Sequence, residues 1–267
     1  MPWPVSVQIC TLNEESNIAQ CLASVQRTDP EEIVVIDGGS TDATVAIARA
    51  SGANVIEAGR IGLAKQRRQG YLSTSCPYVA FVDADDRLEA NWLEILLSEV
   101  HSGQYSALQS QLRVQGPHNF WTRGWNDYFR ESVQPTPTTN MVGRPALVST
   151  KALRMIEDDP GMIIEDTEMS RTFEQLGLRQ GIGDALSYRL CPDTYAENSR
   201  KWQAYGRGYR QFIQQHPDRR RAILRHILWT IPMARSIRPV FRGNLSQPVF
   251  GVIMAGWIMR GYLDAQS

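Results

Sequence analysis

Pro77-Tyr78-Val79-Ala80-Phe81-Val82-Asp83-Ala84-Asp85-Asp86 is an apolar run that ends abruptly in three carboxylates within four residues. Such a run predicts a strand buried on both faces, as in the middle of a parallel sheet. Upstream, Val5 to Cys10, Glu32 to Ile36 and Asn54 to Ile56 read as further strands. Helical stretches separate them. Glu14 to Val25 carries Ile18, Cys21, Leu22 and Val25 at helical spacing, and Thr41 to Ala50 and Gly62 to Ser73 follow. A helix from about Ala90 to Val100 comes after the acidic run. This alternation predicts an α/β fold with a mainly parallel sheet and helices on both faces.

Composition narrows the partners. The chain has 267 residues, 42% hydrophobic and 21% charged, which excludes wholesale disorder. Lys plus Arg equals Asp plus Glu at 28 each, so no global charge draws the chain to nucleic acid, and no nucleic-acid partner is expected. Cys10, Cys21, Cys76 and Cys191 lack metal-ligand spacing and read as free thiols in a reducing compartment. The start, Met1-Pro2-Trp3-Pro4-Val5, does not resemble a signal peptide. The run from Val249 to Met259 is too short for a transmembrane helix, and none is expected. The expected location is the cytoplasm or the inner face of the cytoplasmic membrane.

In a parallel sheet, ligands bind beyond the carboxyl ends of the strands. Three strands end in polar clusters there: Thr11-Leu12-Asn13-Glu14-Glu15, Asp37-Gly38-Gly39-Ser40-Thr41-Asp42, and Asp83-Ala84-Asp85-Asp86. The first also fits a helix capping box, and the second a tight turn with an N-cap. The third fits either solvated acids ahead of a helix or a metal–phosphate site. Two carboxylates about 4 Å apart repel by roughly 4 kcal/mol at an effective dielectric of 20. A divalent cation relieves this, and hard oxygen donors suit Mg²⁺ or Mn²⁺.

The ordered set Thr11-Leu12-Asn13-Glu14-Glu15, Val35-Ile36-Asp37-Gly38-Gly39-Ser40-Thr41-Asp42, Gly62-Leu63-Ala64-Lys65-Gln66-Arg67 and Phe81-Val82-Asp83-Ala84-Asp85-Asp86 resembles the family 2 glycosyltransferases, over about residues 5–190. The resemblance implies a GT-A fold and a DxD-containing, inverting enzyme that uses Mn²⁺ or Mg²⁺. The donor would be a nucleotide diphosphate sugar and the acceptor a hydroxyl on a glycan, a lipid-linked glycan or a small molecule. The sugar moved would be hexosyl or N-acetylhexosaminyl. By the same resemblance Thr11, Asn13, Glu14 and Asp37 lie against the nucleotide, and Arg67 steadies the nucleotide or diphosphate. Asp83 touches ribose and metal, Asp85 is the main metal ligand, and Asp86 caps the next helix. Gly38 departs from the pattern, since many members carry a second Asp there. The stretch Met162-Ile163-Ile164-Glu165-Asp166-Thr167 resembles the family's later acidic pair, which makes Asp166 the base and Glu165 its donor-side neighbour. The rival from another class is a catalytically silent module of the same fold that binds a nucleotide sugar or a protein. A silent version should lose Asp83, Asp85 or Asp166, and all three are present. Nucleotidyltransferase and NAD-dehydrogenase readings need a glycine-rich loop after the first strand, where Thr11 to Glu15 has no glycine.

These motifs imply a transferase domain over 1–198, with a donor half of about 1–103 and an acceptor half of about 104–198, and a helical tail over 199–267. In the acceptor half, Tyr105 to Val114 and Leu186 to Leu190 read as strands and Thr167 to Leu176 as a helix. Gly116 to Arg144, with Phe120, Trp121, Trp125, Tyr128 and Phe129, reads as a long irregular excursion. From Arg200 to Arg242 there are eleven basic residues and one acidic residue, Asp218. Ile223, Leu224, Ile227, Leu228, Trp229 and Ile231 alternate with Arg221, Arg225 and His226. Two readings stand for that pattern: a surface for an anionic membrane, or a helical hairpin packed on protein, including a second copy of the chain.

Overall fold

The computed structural model describes residues 1–131, 143, 145–156, 165–215, 217, 220–225 and 246–264. The apolar run forms β4 (Tyr78–Asp83), with Val79, Ala80, Phe81 and Val82 all buried. Around it lie β1 (Trp3–Thr11), β2 (Pro30–Asp37) and β3 (Asn54–Glu57), all parallel. The helices between them are α1 (Ile18–Gln26), α2 (Thr44–Ala50) and α3 (Leu63–Ser73). On α1 the four apolar residues at helical spacing, Ile18, Cys21, Leu22 and Val25, are all fully buried. Each predicted strand and helix of this half is present, although α1 and α2 begin later than their periodicity suggests.

The remaining strands are β5 (Asp86–Leu88), β6 (Ala107–Gln115), β7 (Ala146–Ser149) and β8 (Gln180–Leu190). The helices α4 (Trp92–Gly103), α5 (Phe120–Glu131), α6 (Thr150–Leu153) and α7 (Glu165–Gln175) complete this part. The sheet runs β3-β2-β1-β4-β7-β6-β8-β5, and β4–β7, β6–β7 and β5–β8 pair antiparallel. The arrangement is thus a mixed sheet with a parallel half. Short β5 and β7 have too few residues to show a period. Register sets the site: Thr11 lies opposite Asp37, and Cys10 opposite Asp83, so the predicted polar clusters meet at one edge.

Two compact units emerge. One is Met1–Arg113 with Val133–Arg189, and the other is Val114–Ser132 with Leu190–Ser267. In the first, Val5, Val7, Ile9, Leu22 and Trp92 belong to one buried cluster, while Met169 and Phe173 of α7 join Val79, Phe81 and Val148 in a second. None of the four cysteines is disulfide-bonded.

The irregular excursion is corrected over Phe120–Glu131, which forms α5, while its residues 132–142 and 144 lie outside the described residues. Asn119 caps α5 by accepting from the backbone N–H of Trp121 at 2.9 Å and of Thr122 at 3.0 Å. The helices α8 (Tyr195–Gln215), α9 (Arg220–Arg225) and α10 (Ser246–Leu263) follow. Thr194 and Glu197 form a capping box at the start of α8. Trp125 is a core residue here. It stacks on Trp202 with centroids 4.6 Å apart and donates Nε1–H to Asn198 Oδ1 at 2.8 Å. The crossing of α8 and α10 depends on missing side chains: a Cβ on Gly206 would sit 2.0 Å from the Ile258 carbonyl oxygen. Among the described residues no helix is long and apolar enough to cross a membrane. Residues 216, 218–219 and 226–245 of the tail lie outside the described residues, as do Met162, Ile163 and Ile164.

Candidate active site

At the ends of β1 and β2, Asp37 is 2% exposed and its carboxylate is filled from within. Thr11 Oγ1 donates to Oδ1 at 3.1 Å, and Ser40 Oγ donates there too. The N–H groups of Gly39 and Ser40 donate to Oδ2 at 2.9 and 2.8 Å. Burial alone would push this carboxyl up, but the hydrogen bonds from Ser40, then Gly39 and Thr11, outweigh it and hold the group below its usual value. Asp37 therefore shapes the turn that follows β2.

Asn13 sits in the left-handed region at φ 57. Its N–H donates to Ser40 Oγ at 2.8 Å and its Oδ1 accepts from the N–H of Thr41 at 2.9 Å. Glu14 donates its N–H to Thr44 Oγ1 at 2.7 Å, and its Oε2 accepts from Asn17 at 2.8 Å. The loops after β1 and β2 are thereby laced into one surface. This displaces the capping-box reading of Thr11 to Glu14, since α1 starts only at Ile18 with Asn17 before it.

Gln66 ties the two strand ends from below. Its amide donates to the carbonyls of Ile36 at 2.9 Å and Thr11 at 3.4 Å. A Cβ on Gly38 would meet Gln66 Nε2 at 3.0 Å and the Thr11 carbonyl oxygen at 3.1 Å. The departure at position 38 has this physical ground: Gln66 fills the space that a side chain there would need.

The acidic triplet closes on two arginines. Arg67 Nη2 reaches Asp83 Oδ1 at 3.2 Å, and its guanidinium lies 5.4 Å from the Phe81 ring centroid. Arg189, on β8, lies directly across the strand pair from Asp86. Its Nε and Nη2 take the two oxygens of Asp86 at 2.7 and 2.6 Å. Nη2 also reaches Asp83 Oδ2 at 2.7 Å, Nε lies 3.5 Å from Asp85 Oδ1, and Nη1 donates to the Gly143 carbonyl at 2.7 Å. Burial pushes the Asp86 carboxyl up, to about 7, against the lowering pull of Arg189. Arg189 is held charged by the opposing pull of Asp86, Asp85 and Asp83, which outweighs its own burial.

Asp86 does not cap the next helix. It is fully buried in β5, and Asn91 precedes α4. Part of the repulsion that the sequence assigns to a cation is relieved by Arg189 instead. A charged residue inside the strand Ala185-Leu186-Ser187-Tyr188-Arg189-Leu190 is the signal that points to a buried acidic partner. Asp83, Asp85 and Asp86 can each offer one oxygen, all within 4.8 Å of one another. Both oxygens of Asp86 are buried against Arg189, and those of Asp83 meet Arg67 and Arg189, but the side chains of Asp83 and Asp85 keep 34% and 26% exposure. The donor set fits a hard divalent cation through Asp85 and Asp83.

Helix α7 opens at Glu165, with Asp166 its second residue, as the acidic pair predicts. The side chains of Glu165 and Asp166 lie outside the described residues. Thr11, Asn13, Glu14 and Asp37 form one neighbourhood, and Arg67, Asp83 and Asp85 another, at the same edge of the sheet.

Comparison with known proteins bears on the fold and the family. The sequence is 32% identical over 117 residues to an uncharacterised glycosyltransferase of Mycobacterium tuberculosis (strain ATCC 25618 / H37Rv), over 44% of this chain and 53% of that one. It is 35% identical over 102 residues to the lipopolysaccharide core biosynthesis glycosyltransferase LpsC of Rhizobium meliloti (strain 1021), over 35% of this chain and 36% of that one. The chain spans about half the length of the first of these and less of the second. Among solved structures, glucosyl-3-phosphoglycerate synthase from Mycobacterium tuberculosis, in complex with Mn²⁺ and UDP-glucose, superposes with a TM-score of 0.56. The identity is 20%, over 79% of this chain and 78% of that one, and the shared architecture is the GT-A fold. The profile described as Glycosyl transferase family 2 matches residues 6–157, more than half of the 267 residues, and the chain belongs to that family.

Proposed function

We propose that this chain transfers a hexosyl or N-acetylhexosaminyl group from a nucleotide diphosphate sugar to a hydroxyl acceptor, with inversion, using Mn²⁺ or Mg²⁺. The observation that carries the reading is the placement of Asp83 and Asp85, partly exposed and backed by Arg67 and Arg189, where β4 ends beside β1. Glucosyl-3-phosphoglycerate synthase, with the same fold, has been solved with Mn²⁺ and UDP-glucose.

In this reading Asp85 and Asp83 hold the cation, which when bound supplies Lewis-acid stabilisation of the leaving diphosphate. Arg67 orients Asp83 and adds positive charge beside the diphosphate. The laced loops carrying Thr11, Asn13, Glu14 and Asp37 form the wall for base and ribose. Asp166, with Glu165 before it at the head of α7, accepts the proton of the attacking hydroxyl. A thermal-shift screen of nucleoside diphosphates and nucleotide sugars, with and without Mn²⁺, tests the reading. A ligand present at about 100 Kd should stabilise the native state by about 2.7 kcal/mol. The upward shift should require the metal. No shift with any of them would support a silent module instead.

The basic stretch Arg200 to Arg242 and the likeness to LpsC support a lipid-linked acceptor and an enzyme working at the inner face of the cytoplasmic membrane. Flotation with anionic and neutral liposomes should show binding to the anionic ones alone, weakened by salt. Protein that stays unbound with both removes the membrane from the proposal.

A further inference from the structure

Asp86 is the internal pin of the metal-binding turn. Its Oδ2 accepts the N–H of Asp83 at 3.2 Å, which closes the turn from Asp83 to Asp86 on itself. A carboxylate buried at this depth needs a fixed counter-charge. The cross-strand register supplies one by setting Arg189 opposite Asp86. The guanidinium is planar, and its Nε and Nη2 edge matches the two oxygens of Asp86 in a fork. The same Nη2 continues to Asp83, while Nη1 anchors the group to the Gly143 carbonyl. One buried side chain thus sets the orientation of the turn and of the carboxylate of Asp83. It also lies within ion-pair range of Asp85.

We propose that Arg189 is a positioning residue of the metal site: through its fork on Asp86 and its bond to Asp83 it holds Asp83 and Asp85 in the geometry that captures a cation together with a diphosphate. The inference rests on the functional reading above and deepens it by giving Arg189, there only a backing charge, a positioning role. The role depends on the shape of the guanidinium, not only on its charge. Formally, three carboxylates less the two guanidiniums of Arg67 and Arg189 leave minus one. Arg189→Lys preserves that charge and loses the fork. The double variant Asp86→Asn with Arg189→Gln also leaves minus one, and it leaves no lone buried charge to unfold the protein.

The experiment measures UDP affinity calorimetrically at pH 8 for the whole chain, without metal and with saturating Mn²⁺. Free Mn²⁺ is followed in parallel by its paramagnetic resonance signal, and thermal melts confirm folding. The wild type should gain affinity for UDP when Mn²⁺ is added. Both variants should keep the metal-free affinity and bind Mn²⁺ in the presence of UDP about tenfold to a hundredfold more weakly. A purely structural role would instead lower both affinities together, and that outcome overturns the proposal. A folded variant of either kind that shows the wild-type gain also overturns it, while leaving the functional reading intact. A wild type with no metal-dependent gain for UDP, or for any nucleoside diphosphate of the thermal-shift screen measured in the same way, overturns the functional reading and this inference with it.

Discussion

Asp85→Asn is expected to lower metal-stimulated turnover of the nucleotide sugar by at least about 10²-fold to 10³-fold, with almost no change in melting temperature. The asymmetry follows from how the triplet is built. Asp85 is about a quarter exposed, and its contact with Arg189 is a loose 3.5 Å. Folding asks little of it, because Arg189 already has the whole carboxylate of Asp86 and one oxygen of Asp83. What Asp85 offers is a hard oxygen at an accessible position, which a neutral amide replaces poorly as a ligand for a divalent ion. Asp86→Ala should lose stability as well as metal affinity, because Asp86 pins the turn. Removing the fully buried partner leaves the Arg189 guanidinium uncompensated, a change that costs about 3–5 kcal/mol in comparable buried pairs. Chemical denaturation and Mn²⁺-dependent donor hydrolysis on the same two variants separate these roles. An Asp85→Asn protein with wild-type metal dependence removes Asp85 from the ligand set.

How much of this was legible in the sequence differs between the two halves of the site. Val79 to Val82 and the spacing of Ile18, Cys21, Leu22 and Val25 announce a buried strand and an amphipathic helix, because each element uses one simple period. The meeting of Thr11, Asp37 and Asp83 at one edge then follows from parallel register alone. Long-range pairings are different. Arg189 is 103 residues from Asp86, and nothing local distinguishes it from a solvated arginine except its apolar strand. Its partner could be named only once β5, three residues long, was known to lie beside β8.

The aromatic stretch around Trp125 shows a second limit. Its Trp, Pro, Thr and Asn content suggested an irregular excursion, yet Asn119 and Thr122 stand at N-cap spacing, which marks a helix start. The aromatic residues then fill a core. Trp125 is 2% exposed and Phe129 5%, so their faces meet Trp202 and each other. The likeness of Gly62 to Arg67 to a family motif located Arg67 but gave Gln66 no task. Only the backbone positions of Thr11 and Ile36 show that this amide ties two strand ends together.

Asp166→Asn is expected to reduce sugar transfer by about 10²-fold to 10⁴-fold while donor affinity with Mn²⁺ stays within about twofold of wild type. The expectation rests on the acidic pair Glu165-Asp166 opening α7, a helix docked to the sheet through Met169 and Phe173. A helix start held in this way would fix the backbone at the proposed base, and a fixed origin is what general-base catalysis needs. An asparagine keeps the volume and the hydrogen-bonding reach but cannot take a proton. Loss should therefore fall on kcat for transfer, not on donor KM. Asp166→Glu moves the carboxylate outward by one methylene and should also be impaired, since misplacement by about 1 Å can cost roughly 10²-fold. Glu165→Gln separates position from chemistry: as a donor-side neighbour Glu165 should alter donor KM more than kcat. Rapid-quench measurement of the transfer step, alongside calorimetry of donor binding, reads both quantities on each variant. Transfer at the wild-type rate by Asp166→Asn would remove it as the base, and the proton would then have to leave through another group.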